Sequence, residues 1–169
     1  MNSPWTFRDA TQADLPAIVA IYNQTIACRM VTADLEPVSI VQRQAWFDSH
    51  SPDSHPIWVA EREGYIVGWL SFSAFHSRAA YAATAELSIY IDEAERRRGL
   101  GSAFLARAVR HAPTIGLKNL VGLIFGHNEA SLALFERFGF VRWGTLPDVA
   151  VLDGLERTLV IVGLPLSGT

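Results

Sequence analysis

An α/β (α+β) fold, in which antiparallel strands come first and one strand-helix-strand crossover follows, is what this sequence predicts. Three observations carry that expectation. Period-two alternation runs through Glu86-Leu87-Ser88-Ile89-Tyr90-Ile91, an amphipathic helix opens at the double-glycine turn Gly99-Leu100-Gly101, and a run apolar on both faces, Leu120 to Phe125, follows that helix. With 169 residues, half of them apolar and 18% charged, the chain is long enough for a sizeable core and is expected to form a single domain over 1–169.

Each element has its own signal. Trp5 to Arg8 reads as a short first strand, and Thr11 followed by Asp14 is a capping signal for a helix with Leu15, Ile18, Val19, Ile21 and Tyr22 inward. Arg29 to Pro37 reads as a loop. Ser39 to His50 follows as a second helix with Ile40, Val41, Trp46 and Phe47 inward, and Ser51-Pro52-Asp53-Ser54-His55-Pro56 breaks it, leaving His50 and His55 solvated. Ile57 to Glu61 and Ile66 to Phe75 flank the hairpin signal Arg62-Glu63-Gly64, and Ala85 to Ile91 continues the antiparallel run. From the glycine turn a helix reaches His111 with Leu100, Phe104, Leu105, Ala108 and Val109 on one stripe. Gly116 then leads to the central strand Leu120 to Phe125. A helix from Glu129 to Phe138, stopped by Gly139, precedes strands Val141 to Leu146 and Thr158 to Val162, with Asp153-Gly154 between them.

Composition narrows the function classes. A net charge of −3, with arginines local rather than in a long stripe, argues against nucleic acid as a partner. Cys28 is the single cysteine, so an intrachain disulfide and a cysteine-rich metal site are excluded, no metal is expected, and the cytoplasm is the expected compartment. Met1 to Pro4 lacks the basic and apolar regions of a targeting peptide, and no apolar run approaches the ~18 residues that span a bilayer, so no membrane partner is expected. A dinucleotide fingerprint would need a small residue where Phe104 stands. No Walker loop, nucleophile elbow or zinc-binding histidine pair occurs.

The turn at Gly99 has the layout of a pyrophosphate site. Two glycines let the backbone bend tightly so that several N–H groups point one way, and the helix that starts there adds about half an elementary charge at its N-terminus. Arg96, Arg97 and Arg98 add mobile positive charge.

Arg96-x-x-Gly99-x-Gly101 at a strand-to-helix turn, followed by Asn128-x-x-Ser131 and Phe138-Gly139-Phe140, resembles the GNAT N-acetyltransferases. Within that superfamily, Tyr81-x-x-Thr84-x-Glu86, Ile21-Tyr22-Asn23 and Glu36-Pro37-Val38 are similar to the phosphinothricin and methionine-sulfone acetyltransferase group. The resemblance covers almost the whole chain. It implies a GNAT fold, a central mixed and mostly antiparallel sheet flanked by helices with its central strands splayed, and acetyl-CoA as cosubstrate. Pantetheine is then expected along Ile89, Tyr90 and Ile91, with the diphosphate held by N–H groups of Arg97, Arg98, Gly99, Leu100, Gly101 and Ser102. Asn128 is expected to contact the pantetheine arm, a role compatible with its alternative as the N-cap of the helix at Glu129.

The chemistry follows from the reaction class. A neutral amine must attack the thioester, so a base is needed, and the resemblance assigns it to Glu86, which also lies by the substrate. Glu86, Ser88 and Tyr90 share one strand face while Leu87, Ile89 and Ile91 share the other. His76, Ser77 and Arg78, with Tyr81, are expected to bind an amino-acid-like substrate, Arg78 gripping its carboxylate in a two-pronged pair. Phe135 departs from the family, which often has a tyrosine or histidine there. A phenyl ring donates no proton, so either the departing thiolate is helped by water or Tyr90, or the acyl pocket is shaped differently here, and the sequence does not choose. The small-molecule reading competes with acetylation of a polyamine or aminoglycoside and with a CoA-binding module of little activity. A homodimer is expected, with the second helix and the C-terminal strands as its face.

Overall fold

One mixed sheet of seven strands runs through the computed structural model, which describes residues 4–166. The residues read for targeting features, Met1 to Ser3, lie outside that range. The elements in chain order are β1 (Thr6–Asp9), α1 (Leu15–Gln24), α2 (Ile40–Asp48), β2 (Ile57–Arg62), β3 (Tyr65–Ala74), β4 (Thr84–Ile91), α3 (Leu100–His111), β5 (Asn119–Phe125), α4 (Glu129–Arg137), β6 (Val141–Leu152) and β7 (Leu155–Pro165). The sheet order is β1-β2-β3-β4-β5-β7-β6. All neighbours are antiparallel except β4 and β5, which α3 joins as the expected crossover.

The period-two strand β4 divides two cores. Leu87, Ile89 and Ile91 pack with Leu100, Phe104 and Leu105 of α3 and with Phe135 of α4. Tyr90 instead joins Ile18, Ile21 and Tyr22 of α1 and Trp46 and Phe47 of α2 on the opposite face. This is the face division expected from alternation, and it sends the side chains of Glu86, Ser88 and Tyr90 toward α1 and α2. No helix is long and apolar enough to cross a membrane among the described residues.

The start of α1 is fixed by charge. A short 3₁₀ turn, Gln12–Asp14, comes first, so the capping signal serves this turn rather than the α-helix itself. Asp14 accepts hydrogen bonds from the Thr11 N–H at 2.7 Å and from Arg8 at 2.6 and 2.9 Å, while Arg8 also grips Glu61 on β2. The Arg8 guanidinium holds the Asp14 carboxyl at about 2, against a usual 3.8. The stabilisation is therefore full above pH 3.8 and is lost as pH falls from there through about 2. Asp14→Asn is expected to cost about 2 kcal/mol at pH 7, read by denaturant unfolding, and to flatten that acid loss of stability.

Four sequence expectations are corrected. Val41 is 85% and Ile40 42% exposed, not inward. Residues at 100° per step place Val41 about 140° around the helix from Trp46, and the stripe that meets the sheet is Arg43, Trp46, Phe47 and His50. The second helix is also shorter than expected, because Ser39 caps it by accepting from the Gln42 N–H at 3.2 Å. His50 is not solvated: its Nδ1 bonds the Trp46 carbonyl at 2.7 Å, its Nε2 lies 3.2 Å from Ser73 Oγ, and burial lowers its pKa. Finally, β6 and β7 are a long hairpin rather than two short strands. Asp153 and Gly154 turn it with φ of +50° and +79°, and a register shift between Leu146 and Ala150 absorbs Pro147 and Asp148.

Candidate functional site

The parallel ladder between β4 and β5 is short, pairing only Thr84, Ala85 and Glu86 with Asn119, Leu120 and Val121. Past Glu86 the strands part. β4 keeps its bonds to β3 and β5 keeps its bonds to β7, so the two facing edges are left without a mutual partner. A cleft of about 440 Å³ opens there, lined by Ser88, Ile89, Tyr90 and Ile91 on one side and Leu123, Ile124 and Phe125 on the other. Main-chain groups on such an edge can pair with an amide-bearing ligand that lies along the strand.

The glycine turn closes one end of this cleft. Asp92 starts it by accepting from the Ala94 N–H at 2.9 Å, and the buried Glu95 anchors it. Glu95 takes Arg62 at 2.9 Å, the Trp5 indole N–H at 3.4 Å and Arg98 at 3.4 Å. The backbone then passes through positive φ at Arg97 (+63°) and Gly99 (+89°) into α3. The first main-chain bond of α3 runs from the Ala103 N–H to the Gly99 carbonyl at 3.0 Å. Among the described residues no acceptor faces the N–H groups from Arg97 to Ser102, as expected of a first helical turn that receives an anion. Gly101 serves a different purpose: an added Cβ would lie 3.0 Å from Leu134, so its lack of a side chain lets α4 approach α3.

Of the residues expected to bind the cofactor, Ile89, Tyr90, Ile91, Arg97, Gly99, Leu100, Gly101, Ser102 and Asn128 line the cleft. Arg98 is not among the lining residues; its guanidinium pairs with Glu95 at 3.4 Å. Asn128 is the N-cap of α4, accepting from the Ser131 N–H at 3.2 Å, and it donates to the Met30 carbonyl at 3.0 Å. The loop after α1 is thus tied to the β5–α4 turn, helped by His127 at 2.9 Å from the Arg29 carbonyl. Thr25, Val31, Ala130, Leu134 and Arg137 also line the cleft. Sequence reasoning missed them, since only the folding of the α1–α2 loop and α4 over the splayed strands brings them there.

Phe135 is part of the wall. Its ring meets Phe140 edge-on at 4.9 Å and presses on Gly122, where a Cβ would sit 2.9 Å away. Tyr90 carries the nearest phenol on β4, stacked on Trp69 at 4.5 Å, and burial raises its pKa far enough to keep it neutral.

Glu86 stands where the strands part, half-buried, opposite Ser73 and outside the wall of the cleft itself. Burial pushes its carboxyl above the usual 4.5, and among the described residues it accepts no hydrogen bond. A carboxylate so placed is free to take a proton. At the same end of β4, the exposed loop 75–83 carries His76, Ser77, Arg78 and Tyr81. His76 Nδ1 accepts from the Arg78 N–H at 3.1 Å, and the Tyr81 ring lies 4.9 Å from the His76 ring. The Arg78 guanidinium has no ion pair among the described residues. Among the described residues, no group of His, Cys, Asp and Glu side chains forms a metal site.

Comparison with known proteins agrees with this geometry. The model of the acetyltransferase (GNAT) family matches residues 18–140. A Bacillus subtilis protein provisionally named phosphinothricin acetyltransferase, YwnH, is 52% identical over 163 residues, covering 96% of this chain and 99% of the relative. The L-methionine sulfoximine/L-methionine sulfone acetyltransferase of Pseudomonas aeruginosa is 34% identical over 97% of this chain and 96% of its own. Among solved structures, a phosphinothricin acetyltransferase from Sinorhizobium meliloti in complex with AcCoA superposes with a TM-score of 0.91 at 29% identity, covering 98% of this chain and 90% of that one.

Proposed function

The chain belongs to the GNAT family of acetyltransferases, and on that premise we propose that it moves the acetyl group of acetyl-CoA onto the amino group of a small amino-acid-like substrate of the phosphinothricin, methionine sulfone or methionine sulfoximine type. The observation that carries this reading is the splay of β4 from β5 beside acceptor-free amides at the Gly99 turn, an edge and an anion cradle joined in one cleft. The amides from Arg97 to Ser102 hold the diphosphate, and the β4 edge at Ile89 to Ile91 holds the pantetheine amides.

Glu86 is the base. It takes the amine proton directly or through one water as the amine attacks the thioester carbonyl, and Tyr90, neutral on the cleft wall, supplies the departing sulfur with a proton in place of the tyrosine or histidine that Phe135 replaces. Arg78 grips the substrate carboxylate, with His76, Ser77 and Tyr81 beside it. Arg78→Ala is expected to raise KM for the amine about tenfold or more and leave KM for acetyl-CoA within twofold, measured by steady-state kinetics. A cytoplasmic homodimer is part of the same reading. Its support is the exposed apolar row of Val141, Trp143, Val149 and Val151 on β6, and light scattering tests it.

The test is direct. Incubation with acetyl-CoA and a panel of these amines, with free thiol followed by a colorimetric reagent, is expected to release thiol in step with acetylated product. Acetyl-CoA binding without thiol release across the panel would make the chain a binding module instead. Turnover confined to polyamines or aminoglycosides would move the substrate class.

A further inference from the structure

The narrow end of the cleft is set by the register of its two strands. Glu86 and Val121 form the last rung of the β4–β5 ladder, so Gly122 stands level with Leu87 one residue further on, where the gap begins. Gly122 lies on the same face of β5 as Leu120 and Ile124, which belong to the core that holds Leu87 and Phe135. Phe135 of α4 covers Gly122 at this point.

The Phe135 ring has no room to retreat. It is 6% exposed, a Cβ on Gly122 would lie 2.9 Å from it, and Phe140 meets it edge-on at 4.9 Å. Residue 122 has to lack a side chain for the ring to sit this deep, and a group that needed more space would have to displace close-packed neighbours. The same ring lines the cleft, together with Leu87, Ile124 and Leu134.

Length decides what meets it. With its diphosphate at the Gly99 turn, the arm of acetyl-CoA enters at Ile91 and reaches Leu87 four residues on, about 13 Å at roughly 3.3 Å each. About a dozen bonds separate that diphosphate from the sulfur, and an extended chain advances roughly 3.3–3.6 Å for every three bonds, about 13–14 Å in all. The thioester therefore arrives level with Leu87 and Gly122. Glu86 shares the strand face of Tyr90, toward α1 and α2, so the amine comes from that side, whereas Phe135 belongs to the core on the other. An apolar acyl chain turns to the apolar side and ends against the ring.

Resting on the function proposed above, we infer that Phe135 is the specificity residue for the acyl group, its ring closing the narrow end of the cleft so that acetyl fits and longer chains do not. The departure from tyrosine or histidine at this position then has a use of its own: a phenyl ring leaves the end of the acyl pocket free of any polar atom that would hold water there.

The test titrates free coenzyme A, acetyl-CoA, propionyl-CoA and butyryl-CoA into the wild-type chain, Phe135→Leu and Phe135→Ala by calorimetry. One methylene too many in an apolar pocket is worth about tenfold or more, so the wild type is expected to lose affinity in that proportion from acetyl-CoA to propionyl-CoA and again to butyryl-CoA. Phe135→Leu, which keeps an apolar branch against Phe140, is expected to accept propionyl-CoA nearly as well as acetyl-CoA, and Phe135→Ala to accept butyryl-CoA as well. Free coenzyme A ends at the sulfur, so its affinity should stay within about threefold in Phe135→Leu, which also shows that the variant is folded. With any amine that turns over, the kcat/KM ratio of butyryl-CoA to acetyl-CoA should rise in parallel. A wild type that binds butyryl-CoA as tightly as acetyl-CoA overturns the inference. So does a preference for acetyl-CoA that persists in Phe135→Leu, or a loss of free coenzyme A binding in step with all three acyl forms, which would make Phe135 structural only. Failure of the wild type to acetylate any amine on the panel overturns the proposed function instead, and the calorimetric arm still decides the role of Phe135.

Discussion

Glu86→Gln is expected to lower kcat about 10² to 10³-fold while leaving acetyl-CoA affinity within twofold, because a positioned base contributes roughly 10² to 10⁴ and the carboxyl stands outside the cleft that receives the cofactor. Glutamine keeps the shape and can still accept a hydrogen bond, but it cannot take the proton. Stopped assays of kcat beside calorimetry of acetyl-CoA binding separate the two effects. The pH profile adds a second signature. Burial raises the Glu86 pKa above 4.5, so kcat/KM should climb as pH rises through that higher value and the carboxylate forms, and Glu86→Gln should lose this acid limb. Stability moves the other way. The unfolded carboxyl ionises first, so folding loses stability as pH rises from 4.5 through the raised value, and the glutamine variant should not show that loss. A wild-type level of turnover in Glu86→Gln would remove Glu86 as the base.

The second large effect is expected at the turn. Gly99 has φ of +89° and open space where a Cβ would stand, so Gly99→Val meets no clash but forces a β-branched residue into the left-handed region, at about 1–3 kcal/mol. The backbone relieves that strain by moving, which turns the amides of Leu100 to Ser102 away from a common point. Acetyl-CoA affinity should fall tenfold or more. Gly64 is the matched control, with φ of +82° and equally open space in the β2–β3 hairpin. Gly64→Val should cost similar stability and leave acetyl-CoA affinity unchanged. Equal losses of affinity in both variants, or none in Gly99→Val, would show that the turn does not hold the diphosphate.

Local pattern made much of this legible. Where a periodic run continued into a cap or a glycine, as at β4, the Gly99 turn, α3 and the N-cap Asn128, sequence and structure agree, since neighbours a few residues apart decide hydrogen bonding there. Where one apolar residue had to be assigned to a face, the pattern misled. Ile40 and Val41 look like core in a short helix, but α2 rests on the sheet only through the stripe that holds Trp46 and Phe47. The strand expected to end at Leu146 runs on to Leu152, because a register shift absorbs Pro147 and Asp148.

The sequence by itself determined the order of elements, the two faces of β4, the glycine turn with its arginines, and the family to which these motifs are similar. Only the tertiary structure decided that β4 leaves β5 after Glu86 and that the Arg98 guanidinium pairs with Glu95. The reason is range. A turn or cap is settled by bonds between close neighbours in the chain, whereas strand splay and the packing of α2 depend on contacts between residues tens of positions apart, whose partners a linear pattern does not name.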